Sequence, residues 1–148
     1  MKIGRMYRLL WEQYSKILRL FYCKVFKMKL GEGVVISPRA HLDKGAGYRL
    51  YVGKNTRILA NATILCHDHC RRLSLDTVIG DNCVIGINTI IMPGLTIGNE
   101  VIVVGGTIVT KDIPSNCMVV GNPGKIIRTG VKVHNGVIIN NGIKYDNK

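Results

Sequence analysis

The chain has 148 residues, 47 % of them hydrophobic and 20 % charged, with a formal net charge of +12 and five cysteines. This length suits one domain, and an odd cysteine count without an apolar leader and small-residue cleavage site argues against a disulfide-stapled secreted scaffold and for a reducing, cytoplasmic compartment. The basic balance admits nucleic acid, an anionic membrane or an anionic small molecule as partner, but no segment reads as a groove-reading helix or a base-stacking sheet, so no nucleic-acid partner is expected.

Residues 1–32 form an N-terminal basic segment, with eight Lys or Arg against Glu12 over residues 1–30, a net +7. A helix is expected over residues 5–28. Tyr7, Leu10, Trp11, Tyr14, Leu18, Phe21, Tyr22, Val25 and Phe26 follow three- and four-residue steps, and Arg5, Arg8, Glu12, Lys16 and Arg19 mostly take the other side. Charges throughout prevent it from spanning a bilayer. Two readings stand: a helix packed on the rest of the protein or on a neighbouring subunit, or an interfacial helix in peripheral contact with anionic lipid.

From residue 33 to 130 the period changes. Isoleucine or valine recurs every sixth residue at Ile79, Ile85, Ile91, Ile97, Val103 and Val109, with glycine following at Gly80, Gly86 and Gly98. Small or apolar residues stand two places earlier, Cys83 among them, where a thiol serves as a small hydrophobe. The same step links Ile36 to Leu42, and Val52 to Ile58 and Ile64. A helix wants a period of 3.6 and a strand a period of 2; six is the step of a hexapeptide-repeat parallel β-helix, three hexads to a triangular coil. The aliphatic residue points inward and glycine is expected to let the corner turn. About twelve hexads make roughly four coils. So thin a prism buries little and calls for an oligomer.

The repeat breaks twice. Leu42 to Val52 is ten residues, so Gly45–Tyr48 bulge out as a loop. Ile64 to Ile79 is fifteen, two hexads plus three extra residues, and this break carries Cys66-His67-Asp68-His69-Cys70-Arg71-Arg72. Function tends to sit on such loops. On an extended backbone His67 and His69 share one face and Cys66, Asp68 and Cys70 the other. Zinc favours Cys and His at such spacings, but ligands on opposite faces do not close one tetrahedron, so no metal is expected. His41 and His134 stand in no motif. Residues 131–148 form the tail, where Asn135-Gly136 and Asn141-Gly142 between apolar stretches predict a small antiparallel ribbon.

These residues together resemble the hexapeptide-repeat acyltransferases, most of all the branch holding maltose and galactoside acetyltransferases and bacterial exopolysaccharide O-acetyltransferases. The hexads carry only the fold. The His67-Asp68-His69 loop, Ile85-Gly86, Gly105-Gly106-Thr107-Ile108-Val109-Thr110-Lys111-Asp112-Ile113-Pro114 and Gly121-Asn122-Pro123-Gly124-Lys125-Ile126-Ile127-Arg128 are more specific, and the similarity covers residues 34–128. The resemblance implies an all-β, left-handed parallel β-helix assembled as a homotrimer. Acetyl-CoA would lie in a groove between prisms, and a loop histidine would serve as general base. The chain departs from the family at Val84, where an aromatic residue is common, so the acceptor stays open.

Acetyl transfer to a hydroxyl needs a base, an oxyanion donor and cations for the phosphates of CoA. His67 is the candidate base, with Asp68 or a backbone carbonyl holding its tautomer. His69 has acceptor binding, support of His67 or a structural role open to it, and Arg71 and Arg72 would meet an anionic acceptor. A backbone N–H near Gly86 is the expected oxyanion donor. Gly105 and Gly106 permit approach of the pantetheine arm, and Thr110, Lys111, Lys125 and Arg128 suit phosphate.

The leading expectation is an acetyl-CoA-dependent O-acetyltransferase acting on a sugar or lipid-linked glycan in capsule, exopolysaccharide or lipopolysaccharide assembly, cytoplasmic and peripheral to the inner face of the membrane. The alternatives are a serine acetyltransferase-like enzyme, a γ-type zinc carbonic anhydrase-like lyase, and a non-catalytic β-helix scaffold.

Overall fold

A computed structural model of the chain describes residues 2–139. The expected Asn141-Gly142 turn lies outside these residues. After a helix, Lys2–Val25, the chain winds into a left-handed parallel prism of three faces. One face stacks the strands Lys29–Leu30, Leu50–Val52, Thr77–Ile79 and Thr96–Ile97. The second stacks Val35–Ile36, Arg57–Ile58, Val84–Ile85, Ile102–Val103 and Cys117–Val120. The third stacks His41–Leu42, Thr63–Ile64, Ile90–Ile91 and Ile108–Val109. The prism thus begins at Lys29, earlier than the expected Gly33.

The six-residue pattern is the core. Ile36, Ile58, Ile64, Ile79, Ile85, Ile91, Ile97, Val103 and Val109 are all essentially inaccessible, in one apolar column. Thr77, Cys83, Thr89, Val101 and Thr107 are buried beside them. Burial pushes the Cys83 thiol up to about 11, so it is inert at neutral pH.

The corner glycines do a different job from the one expected. Left-handed backbone falls instead on Asn82, Asn88, Gly94, Glu100 and Gly106, again six apart, with asparagine and glycine best suited to it. Gly80, Gly86 and Gly98 let successive coils approach. A Cβ on Gly86 would stand 2.5 Å from the carbonyl oxygen of Val103. Gly86→Ala should therefore destabilise the protein by about 1–3 kcal/mol through overpacking. The denaturant midpoint measures this, and an unchanged midpoint would reject the tight-corner account.

Register gives the size of the two breaks. Val84 lies opposite Ile102, a regular step of 18 residues. Val35 lies opposite Arg57, a step of 22, and Arg57 opposite Val84, a step of 27. The first excursion therefore adds four residues and the second nine, not three. Both leave the prism at the same corner, between the third face and the first, on successive coils. Beyond the prism, Lys125–Thr129 returns antiparallel on Cys117–Val120, and Val133–His134 pairs with Val137–Ile138 through left-handed Asn135 and Gly136. That ribbon matches the Asn-Gly signal.

Candidate active site

The second excursion is a hairpin: His67–Asp68 pairs antiparallel with Leu73–Ser74. Its base is closed by the Leu75 N–H donating to the Cys66 carbonyl at 2.8 Å and by the Thr77 hydroxyl on the Leu65 carbonyl at 2.7 Å. Residues 69–72 turn, with Arg72 left-handed, so His69 leaves the extended strand and the face it was expected to share with His67 does not exist.

The carboxylate that meets His67 is Asp43, not Asp68. Asp43 follows the third-face strand one coil earlier, at the start of the first excursion. Its Oδ2 lies 2.5 Å from His67 Nδ1. The same oxygen accepts the backbone N–H of Cys66 at 2.8 Å and of His67 at 3.0 Å, while Oδ1 accepts that of Ala46 at 3.1 Å. The Asp43 side chain is 1 % exposed and that of His67 48 %. Burial alone would raise the Asp43 carboxyl. The Cys66 N–H, the His67 ring and the Ala46 N–H together outweigh it and hold the group below the usual carboxylate range. Asp68 instead turns to the hairpin tip, where Arg71 donates from Nε at 2.6 Å and from its backbone at 3.0 Å, so its carboxyl also lies low.

An ionised acceptor on Nδ1 requires a proton there, so in the neutral imidazole the lone pair is on Nε2. Such a pair can serve chemically as a carboxylate-oriented general base. One signal for Asp43 was present in the sequence: it opens the first break as the His loop opens the second. Only the stacking of the two breaks on one corner brings them together.

The remaining expected residues divide between two corners. Thr110 and Lys111 are exposed at the His67 corner, two coils on, roughly 10 Å along the stacking axis. Gly86, Gly105 and Gly106 lie at the opposite edge of the third face, and Lys125 and Arg128 are exposed on the returning strand. The N–H of Gly86 itself donates to the Val103 carbonyl at 2.8 Å, within the coil ladder. Among the described residues, the N–H groups of Ile87 and Gly105 at that corner enter no such bond. Among the same residues no three His, Cys, Asp or Glu side chains converge to hold a metal.

A left-handed parallel prism of six-residue coils, with a buried Asp43 paired to a half-exposed His67 at a corner excursion, defines a class, the hexapeptide-repeat β-helices. The bacterial transferase hexapeptide model (six repeats) matches residues 76–111. YvoF of Bacillus subtilis (strain 168), which carries a provisional acetyltransferase name, is 39 % identical over 111 residues, covering 73 % of this chain and 64 % of YvoF. Galactoside O-acetyltransferase of Escherichia coli (strain K12) is 37 % identical over 90 residues, 55 % of this chain and 44 % of that protein. The chain therefore spans less than two thirds of either. The solved maltose O-acetyltransferase of Clostridium difficile 630 is 28 % identical, with a TM-score of 0.59 over 82 % of this chain and 87 % of its own. The chain belongs to the hexapeptide-repeat acetyltransferase family.

Proposed function

We propose that the protein transfers an acetyl group from acetyl-CoA to a sugar hydroxyl, with His67 as general base and Asp43 as its orienting carboxylate. The observation that carries this is the buried Asp43 holding Nδ1 of a half-exposed His67. His67 Nε2 takes the acceptor hydroxyl proton as the oxygen attacks the thioester carbonyl. The tetrahedral oxyanion is met by a backbone donor, for which Ile87 and Gly105 retain N–H groups. Collapse breaks the carbon–sulfur bond, and the imidazolium returns the proton to the departing CoA thiolate.

Lys111, Lys125 and Arg128 suit the phosphates of CoA. His67 and Lys111 stand on one edge of the third face and Gly105 on the other, so a groove using both edges needs a second prism beside the first. A homotrimer supplies that arrangement. The sugar class rests on the galactoside and maltose enzymes among the similar proteins. Assembly of surface polysaccharide on the cytoplasmic side of a membrane, where acetyl-CoA is available, fits this chemistry.

A thermal-shift titration tests the donor. Acetyl-CoA should raise Tm in proportion to RT ln(1 + [L]/Kd), and Lys111→Ala with Lys125→Ala should shrink the shift at unchanged Tm of the free protein. Release of CoA thiol in the presence of maltose, a galactoside or serine then tests the acceptor. Turnover with serine alone would replace the sugar reading, and no shift with acetyl-CoA would remove the acetyltransferase reading.

A further inference from the structure

Three stripes run along the helix Lys2–Val25, where the sequence suggested two. Ser15 and Tyr22 are buried against the prism, with Leu18 packed beside them. Glu12, Lys16 and Arg19 border a cavity of about 620 Å³ between helix and prism, whose other wall carries Glu32, Lys54 and Arg57. The third stripe faces away from the protein: Met6, Leu10, Ile17, Leu20, Phe21 and Val25 are each 48–67 % exposed. At 1.5 Å per residue it runs about 28 Å. A shallow apolar hollow of about 260 Å³, lined by Leu10, Trp11, Tyr14 and Pro38, adjoins it. A contiguous stripe of this size marks an interaction surface, unlike scattered apolar residues.

We propose that this stripe lies in the headgroup–acyl boundary of an anionic lipid bilayer. Charge selects the occupant. Residues 1–30 carry eight Lys or Arg against Glu12 alone, and Lys16, Lys24 and Lys27 are exposed. A second copy laid on the stripe would oppose like charge to like charge. It would also enclose Lys24, which pairs with no carboxylate among the described residues, and the segment's one acid, Glu12, borders the cavity instead. An anionic bilayer brings the opposite sign and lets Lys24 extend to the headgroups while its stem covers apolar surface. No helix among the described residues is long and apolar enough to cross a membrane, so the helix lies in the interface plane. The arrangement joins the candidate site mechanically. Beyond the helix, the Phe26 carbonyl and the Met28 side chain sit so close to Gly47 that no Cβ fits there, and Gly47 belongs to the excursion that Asp43 opens. A lipid-linked acceptor would thus arrive at the corner that holds His67.

Co-sedimentation of the full chain with vesicles tests this without reference to catalysis. Binding to vesicles of equal parts phosphatidylglycerol and phosphatidylcholine should exceed binding to phosphatidylcholine alone by about ten-fold or more, and salt should weaken it. Leu10→Ser with Ile17→Ser and Phe21→Ser should lower that binding by about ten-fold or more at unchanged Tm, because these side chains lie outside the core. Should that variant fail to fold, Lys16→Gln with Lys24→Gln and Lys27→Gln should abolish the preference for phosphatidylglycerol with the apolar stripe intact. Equal binding to both vesicle types, or no binding, overturns the proposal. So does a fall in oligomer size by light scattering in the triple serine variant, which would make the stripe a subunit contact.

Discussion

Replacing His67 by alanine should lower kcat by about 10²–10⁴ while the thermal shift produced by acetyl-CoA stays near that of the unaltered protein. The split follows from the geometry. The His67 side chain is 48 % exposed and, among the described residues, its ring pairs only with Asp43, so its loss opens no cavity in the apolar column. What remains is the positioning of both substrates and the oxyanion donor, which explains why the loss is not total. Single-turnover measurement of CoA thiol release separates this from slowed product release. Turnover near that of the unaltered protein would remove His67 from the mechanism, and His69 would be the next histidine to test.

Asp43→Asn should bring a loss of similar order, about 10²–10⁴ in kcat, by a different route. An amide is not an ionised acceptor, and if its NH₂ turns toward Nδ1 it favours the tautomer with the proton on the wrong nitrogen. Because the two residues act as a unit, the double variant His67→Ala with Asp43→Asn should be little worse than either single one; full additivity would break the pair. A second readout distinguishes orientation from mere packing. The folded-state pKa of Asp43 lies below its unfolded value. Its stabilising contribution is therefore fully present above the ordinary carboxylate pKa of about 4 and is lost as pH falls through the lower folded value. The Asp43→Asn variant lacks this contribution, so the difference in Tm between the two proteins should be largest at neutral pH and shrink below about pH 4. A difference independent of pH would mean that the carboxylate charge does not matter. Asp43→Ala is a poorer test, since it strands the N–H groups of Ala46, Cys66 and His67 as well.

The hexads made the prism legible, because an inward aliphatic every sixth residue is a local property that each coil repeats. The six-residue period points Ile85, Ile91 and Val103 inward, and they are buried. The reason for glycine at Gly86 was not legible, since the backbone it touches belongs to the next coil. The helix shows the same division. Its period is in the sequence, but the period cannot say which apolar residues face the prism: Tyr22 and Leu18 do, whereas Ile17 and Phe21 do not.

By itself the sequence determined the repeat, the positions of its two breaks, the histidine in the second, and the Asn-Gly turn of the tail. Each of these depends on neighbours within a few residues. The tertiary structure alone decided that the second break adds nine residues rather than three, that both breaks leave at one corner, and that Asp43 rather than the adjacent Asp68 reaches His67. The physical reason is the coil itself. Winding places residues 24 apart in hydrogen-bond contact, whereas Asp68, next in the chain, is carried to the tip of the hairpin and held there by Arg71.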